Sequence, residues 1–156
     1  MRVVFVCTGN TCRSPLAEAI ARELASSRQL ADLQFESAGT SAWDGAPASD
    51  GAMLVGLEQR LDLNAHRARQ LTRELVGGAD LLLAMGPHHL ERTEALGGVG
   101  KSHLLTAYAS HGQDSHAIGD PFGGDLDTYR AAVGELTREI VRVFDRLVSG
   151  RTSAGP

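Results

Sequence analysis

Residues 2–15 read Arg2-Val3-Val4-Phe5-Val6-Cys7-Thr8-Gly9-Asn10-Thr11-Cys12-Arg13-Ser14-Pro15, and this stretch decides the fold. Its first half is a short apolar run rich in β-branched residues, the composition of a buried strand. From Thr8 it turns polar, and after Ser14-Pro15 an apolar period of four begins with Leu16, Ile20 and Leu24. A strand that feeds a helix through a short loop opens a βαβ unit. In such a loop, backbone N–H groups point at one centre, and the helix N-terminus adds about half a positive charge there. Cys7 faces that centre from the end of the strand, and Arg13 brings a fork matched to phosphoryl oxygens. A thiol beside a helix N-terminus and a guanidinium is biased toward thiolate, its nucleophilic form. Gly9 lets backbone approach a ligand, Asn10 tolerates a left-handed turn, Ser14 is suited to cap the helix and Pro15 to its first position. The pattern predicts a phosphate site with a cysteine nucleophile.

Outward from this loop, short apolar runs alternate with helical periods. Arg2–Cys7, Leu33–Ser37, Asp80–Met85 and Lys101–Leu105 read as strands. Met53, Leu54 and Leu57 mark a second helix, and Leu90 with Leu96 a weaker one. The last helix is the clearest: Leu126, Tyr129, Val133, Leu136, Ile140, Val143 and Leu147 step by three and four, giving an apolar face from roughly Asp125 to Val148. A coiled coil is the competing reading, but three heptads inside an α/β pattern more often cover a sheet. Alternation of this kind predicts an α/β fold, three-layered, with four parallel strands, helices on both faces and the site at the strands' carboxyl ends. Residues 1–150 form a single domain, and 151–156 read as a frayed tail.

The 156 residues carry a net charge of −4 with acids and bases interleaved, so neither a nucleic-acid stripe nor a cationic membrane face is expected. The N-terminal apolar run ends too soon for a secretory signal, which makes the cytoplasm the expected location. Two cysteines are too few for a disulfide scaffold. His88, His89, His103, His111 and His116 fit no metal-ligand spacing, so neither metal nor cofactor is expected and these histidines are read as solvated or capping.

Val6 to Ala19, through Cys7, Arg13 and Pro15, resembles the phosphate-binding loop of the low-molecular-weight protein tyrosine phosphatase family. The likeness continues through Ser37–Trp43, His66–Leu71, Ala79–Met85 and Asp120–Gly124, in order and spacing. It implies a phosphotyrosine protein phosphatase I-like, flavodoxin-like sheet. It implies that Thr8 to Arg13 cradle the phosphoryl group, that Asn10, Ser14, Ser37 and His66 support the loop, and that Trp43 borders the pocket. Asp-Pro by itself more often starts a turn. By resemblance, however, Asp120-Pro121-Phe122 carries the general acid, with Phe122 lining the pocket. Two in-line displacements then follow: Cys7 attacks phosphorus while Asp120 protonates the leaving atom, and water, activated by Asp120, hydrolyses the phosphocysteine.

Family resemblance also implies that Cys12 can pair with an oxidised Cys7; a plain buried thiol is the alternative. Thr11 stands where tyrosine-specific members carry a branched aliphatic residue and protein-arginine phosphatases of the family carry threonine. Gly123 follows Phe122 where tyrosine-selective members tend to place a second aromatic. Phosphoarginine on proteins is therefore the leading substrate and phosphotyrosine the alternative, while a non-catalytic phosphate-binding adaptor would keep the loop but lose Cys7 or Asp120. Phosphorylated proteins are the expected partners, and a monomer the default state.

Overall fold

The computed structural model describes residues 1–154. Strands β1 (Arg2–Cys7), β2 (Gln34–Gly39), β3 (Leu81–Ala84) and β4 (Ser102–Leu104) form one parallel sheet in the order β2-β1-β3-β4. From β1 the chain moves outward to β2 and then crosses to β3 on the other side. The order therefore reverses at β1, and the crevice of such a sheet opens at that strand's carboxyl end. Cys7 is its last residue.

Side chains alternate across β1. Val3, Phe5 and Cys7 join the larger core, beneath α1 (Arg13–Ser27) and α6 (Leu126–Ala154), whereas Val4 and Val6 join a smaller one with Leu71, Val76 and Leu82. Phe5, Phe35 and Phe144 stack in series, with ring centroids 6.1 and 5.4 Å apart. Offset stacks of this kind add about 0.5–1.5 kcal/mol per pair beyond area burial. Along α6, Tyr129, Val133, Leu136, Ile140, Val143 and Leu147 are all buried, so the apolar stripe covers the sheet; Leu126 at its start is half exposed.

The strands sit where the apolar runs place them, displaced by one or two residues at their ends. α2 (Asp50–Glu58) starts three residues ahead of Met53 because Ser49 caps it, accepting from the Ala52 N–H at 3.3 Å. The weak helix around Leu90 and Leu96 divides: α4 (Pro87–Thr93) ends in a wide turn over Glu94–Gly98, where Gly97 takes φ 105°. Two short helices carry no readable period, α3 (Arg73–Gly78) and α5 (Leu105–Ala109). The α5 start explains why the fourth strand ends at Leu104, since an apolar Leu-Leu step cannot distinguish strand from helix. α6 continues past Val148 to Ala154 and so enters the segment read as a tail, while Gly155 and Pro156 lie outside the described residues.

Candidate active site

Between β1 and α1 the loop closes around a cleft of about 250 Å³ lined by Cys7, Thr8, Gly9, Thr11, Cys12, Arg13, Asp120 and Phe122. Among the described residues, the backbone N–H groups of Gly9, Asn10, Thr11 and Cys12 donate to no protein acceptor. A run of free donors beside a helix N-terminus suits an oxyanion.

Asn10 holds the loop from within. It is fully buried in the left-handed conformation, φ 57°. Its Oδ1 accepts the Arg69 backbone N–H at 3.0 Å, which assigns the other amide atom as donor. Nδ2 then donates to Ser14 Oγ at 2.8 Å and Ser37 Oγ at 2.9 Å. The Asn10 carbonyl accepts from His66 Nε2 at 2.7 Å, so that nitrogen carries the ring proton. These bonds direct the Ser14 hydroxyl, whose oxygen is occupied by Asn10, toward the Cys7 sulfur 2.9 Å away. A hydroxyl donating to sulfur stabilises the charge of a thiolate.

Ser14 therefore does not cap α1. Cys12 is the N-cap and offers no side-chain bond, and Pro15 occupies the third helical position rather than the first. The hydroxyl serves the sulfur, and the unmet N–H groups of the helix are left facing the cleft. Gly39, at the end of β2, makes room for this loop: a Cβ there would collide with the Thr8 carbonyl oxygen and come within 3.0 Å of the Asn10 nitrogen.

Arg13 is buried, donates from one terminal nitrogen to the Ile118 carbonyl at 2.9 Å, and lies 3.6 Å through the other from Asp120 Oδ2. It thus joins the loop to the segment before α6. Ile118 anchors that segment to the sheet, its N–H donating to the Met85 carbonyl at 2.8 Å. Asp120 Oδ1 accepts the Phe122 N–H at 3.0 Å across Pro121, and Gly124 N–H closes a turn on the Pro121 carbonyl at 2.8 Å. Gly123 permits the turn with φ 81°, and Asp125 caps α6 by accepting from the Thr128 N–H at 2.9 Å. The carboxylate is half exposed at the cleft and Phe122 is 70% exposed.

Thr11 is pinned through its carbonyl, which accepts the Ser49 N–H at 2.9 Å, and its side chain adjoins Cys12. Cys12 Sγ contacts Ser49 Oγ at 3.2 Å and Tyr129 Oη at 3.4 Å. Both cysteines are free thiols and buried. Trp43 stands apart from this assembly: it is 84% exposed and does not line the cleft, because its loop turns outward, with Asp44 Oδ1 accepting the Gln70 N–H at 2.7 Å.

His89 corrects the reading of the histidines as solvated. It is fully buried, and its Nε2 lies 2.8 Å from Thr8 Oγ1 in the phosphate loop. Burial, followed by electrostatic repulsion from neighbouring His88 and then from Arg13, holds its pKa down to about 4, against an opposing pull from Asp120. Its ring is neutral at physiological pH. Tyr129, part of the apolar stripe of α6, also reaches the site, through Cys12. Neither role has a local signal, since each depends on a contact between segments far apart in the chain.

A thiol, a guanidinium and a carboxyl group gathered around a phosphate-sized loop at the switch point of a parallel sheet define a cysteine-dependent phosphatase. The model described as "Low molecular weight phosphotyrosine protein phosphatase" matches residues 2–151, and the chain belongs to that family. It is 38% identical to a protein-arginine-phosphatase of Geobacillus stearothermophilus, over 94% of this chain and 95% of that one. It is 37% identical to the low-molecular-weight protein-tyrosine-phosphatase PtpB of Staphylococcus haemolyticus, over 87% and 92%. Among solved structures it resembles a YwlE arginine phosphatase, a Cys-to-Ser mutant with a phosphorylated active-site serine, with TM-score 0.90 and 34% identity over 97% and 99% of the two chains.

Proposed function

We propose that this phosphatase hydrolyses phosphoarginine on proteins, with Cys7 as nucleophile, Arg13 and the loop N–H groups as phosphoryl ligands, and Asp120 as general acid and then base. One observation carries the substrate assignment: Thr11 lines the cleft together with Cys7, Arg13 and Asp120. A hydroxyl at that position makes the wall polar where a branched aliphatic side chain would offer hydrocarbon to a phenol ring. Asp120, half exposed beside Arg13, stands where a guanidinium leaving group can reach it. The similar protein-arginine-phosphatase from Geobacillus stearothermophilus supports the same reading. Phosphotyrosine is the second reading, favoured by the likeness to PtpB.

Matched phosphoarginine and phosphotyrosine peptides, compared by kcat/KM, separate the two. Wild type is expected to favour phosphoarginine, and Thr11→Ile to shrink or invert that preference by about tenfold, the size of one side-chain hydrogen bond or methyl contact. Wild-type turnover of phosphotyrosine that equals or exceeds phosphoarginine would sink the assignment.

Each group the reaction needs comes from one chain, so a monomer suffices. Exposed Trp43 is offered to the protein that carries the phosphoryl group. A cytoplasmic setting accords with a nucleophile that must remain reduced. Among the described residues no helix is long and apolar enough to cross a membrane.

Cys12 serves in this reading as a resolving thiol. Peroxide oxidises the Cys7 thiolate to a sulfenic acid, being itself reduced to water; attack by Cys12 forms the disulfide and releases a second water. Mass mapping after peroxide treatment is expected to find a Cys7–Cys12 bond, and dithiothreitol to restore activity. Loss of activity with only sulfinic acid at Cys7 would refute the role.

A further inference from the structure

His89 is a buried titratable side chain that the reaction as described does not use. Its ring packs against His88 in a tilted arrangement, with centroids 3.9 Å apart, and sits close to Gly86, where an added Cβ would meet Nδ1 at 3.4 Å. Nδ1 is buried and has no partner among the described residues. A neutral imidazole has one N–H and one lone pair to distribute between its nitrogens. Leaving a lone pair unmet in the interior is the more tolerable choice, since orphaned buried N–H groups are the rarer of the two. The proton therefore belongs on Nε2, which then donates to Thr8 Oγ1 at 2.8 Å.

That assignment fixes what Thr8 can do. Its oxygen is engaged by the ring, so its own hydrogen is available to an acceptor, and among the described residues none takes it. Thr8 lines the cleft directly after Cys7. A phosphoryl group bound there presents only acceptor oxygens. We infer that His89 is a positioning residue, which orients the Thr8 hydroxyl as a hydrogen-bond donor to the bound phosphoryl group. The logic repeats that of the opposite wall, where Asn10 donates to Ser14 and so turns the Ser14 hydroxyl toward Cys7. One relay addresses the sulfur and the other the oxygens. The inference rests on the reading of the loop as the phosphoryl site.

Inhibition by inorganic phosphate and kcat/KM on an aryl phosphate, measured for wild type, Thr8→Val, Thr8→Ser, His89→Phe, His89→Gln and the Thr8→Val/His89→Phe pair, test it. Thr8→Val is expected to raise the phosphate inhibition constant about tenfold, the size of a hydrogen bond to a charged group. Thr8→Ser, which keeps the hydroxyl, loses less. His89→Phe matches Thr8→Val, the pair is no worse than Thr8→Val alone, and His89→Gln, which retains an N–H near the Nε2 position, recovers most of the affinity. If His89→Phe does not fold, Thr8→Val against Thr8→Ser and the recovery in His89→Gln still decide. Single effects that multiply in the pair, or a Thr8→Val enzyme as sensitive to phosphate as wild type, overturn the inference. Wild type insensitive to phosphate would instead refute the loop reading itself.

Discussion

Replacing Cys7 by serine is expected to lower kcat by on the order of 10⁶, the scale seen when a covalent nucleophile is removed from a preorganised site. The cause is electronic, because the loop geometry is preserved. Serine is nearly the same shape as cysteine, and Ser14 at 2.9 Å can still donate to the oxygen that replaces sulfur. A hydroxyl at neutral pH is almost wholly protonated, and the group in contact with it is no base: Ser14 is held as a donor by Asn10, and Asp120 acts on the leaving atom in this step. Phosphate affinity should change by no more than about threefold, since the Arg13 fork and the free loop N–H groups remain. Steady-state assay with an aryl phosphate and titration with inorganic phosphate read the two quantities separately. Residual turnover above about one part in a hundred would place the nucleophile elsewhere, and a parallel collapse of phosphate binding would mean that the sulfur organises the loop rather than attacking from it.

How far the sequence reaches depends on the range of the interaction concerned. The β1 to α1 loop is legible because its constraints are local. A buried strand, a left-handed Asn10 and a helix start lie within fourteen residues, and they place Cys7 and Arg13 on one cleft. The α6 stripe is legible for the same reason, as its period survives six successive steps. What escapes is contact between distant segments. His89 faces Thr8 across 81 positions, and Tyr129 reaches Cys12 across 117. Ser14 illustrates competition between a local and a distant demand. Its residue type suits an N-cap, yet its hydroxyl is drawn away by Asn10 and Cys7 because leaving those buried groups unmet costs more than an uncapped helix whose N–H groups await an anion. Gly39 is similar, since only the approach of the Thr8 carbonyl reveals why no side chain fits.

Asp120→Asn is expected to lower kcat by about 10²–10⁴ on substrates whose leaving atom must be protonated. The substitution retains shape: an amide oxygen can accept the Phe122 N–H as Oδ1 does at 3.0 Å, so the turn over Pro121 persists. It loses the proton and the charge that faces Arg13 at 3.6 Å. Two steps use Asp120 in opposite senses, and leaving-group strength separates them. With a strongly acidic phenol as leaving group the first displacement needs little help, so the variant should release one equivalent of phenol per enzyme rapidly and then stall, because nothing activates water against the phosphocysteine. With an alkyl ester or phosphoramidate no burst should appear, as the first step itself fails. Quenched-flow measurement on both substrate types tests the pair of roles. Loss of the same factor for every leaving group, without a burst, would show that the carboxylate acts only by orienting Arg13. The exposure of Asp120 fits the dual role, since a group that meets first a leaving nitrogen and then a solvent water must stand where both can reach it.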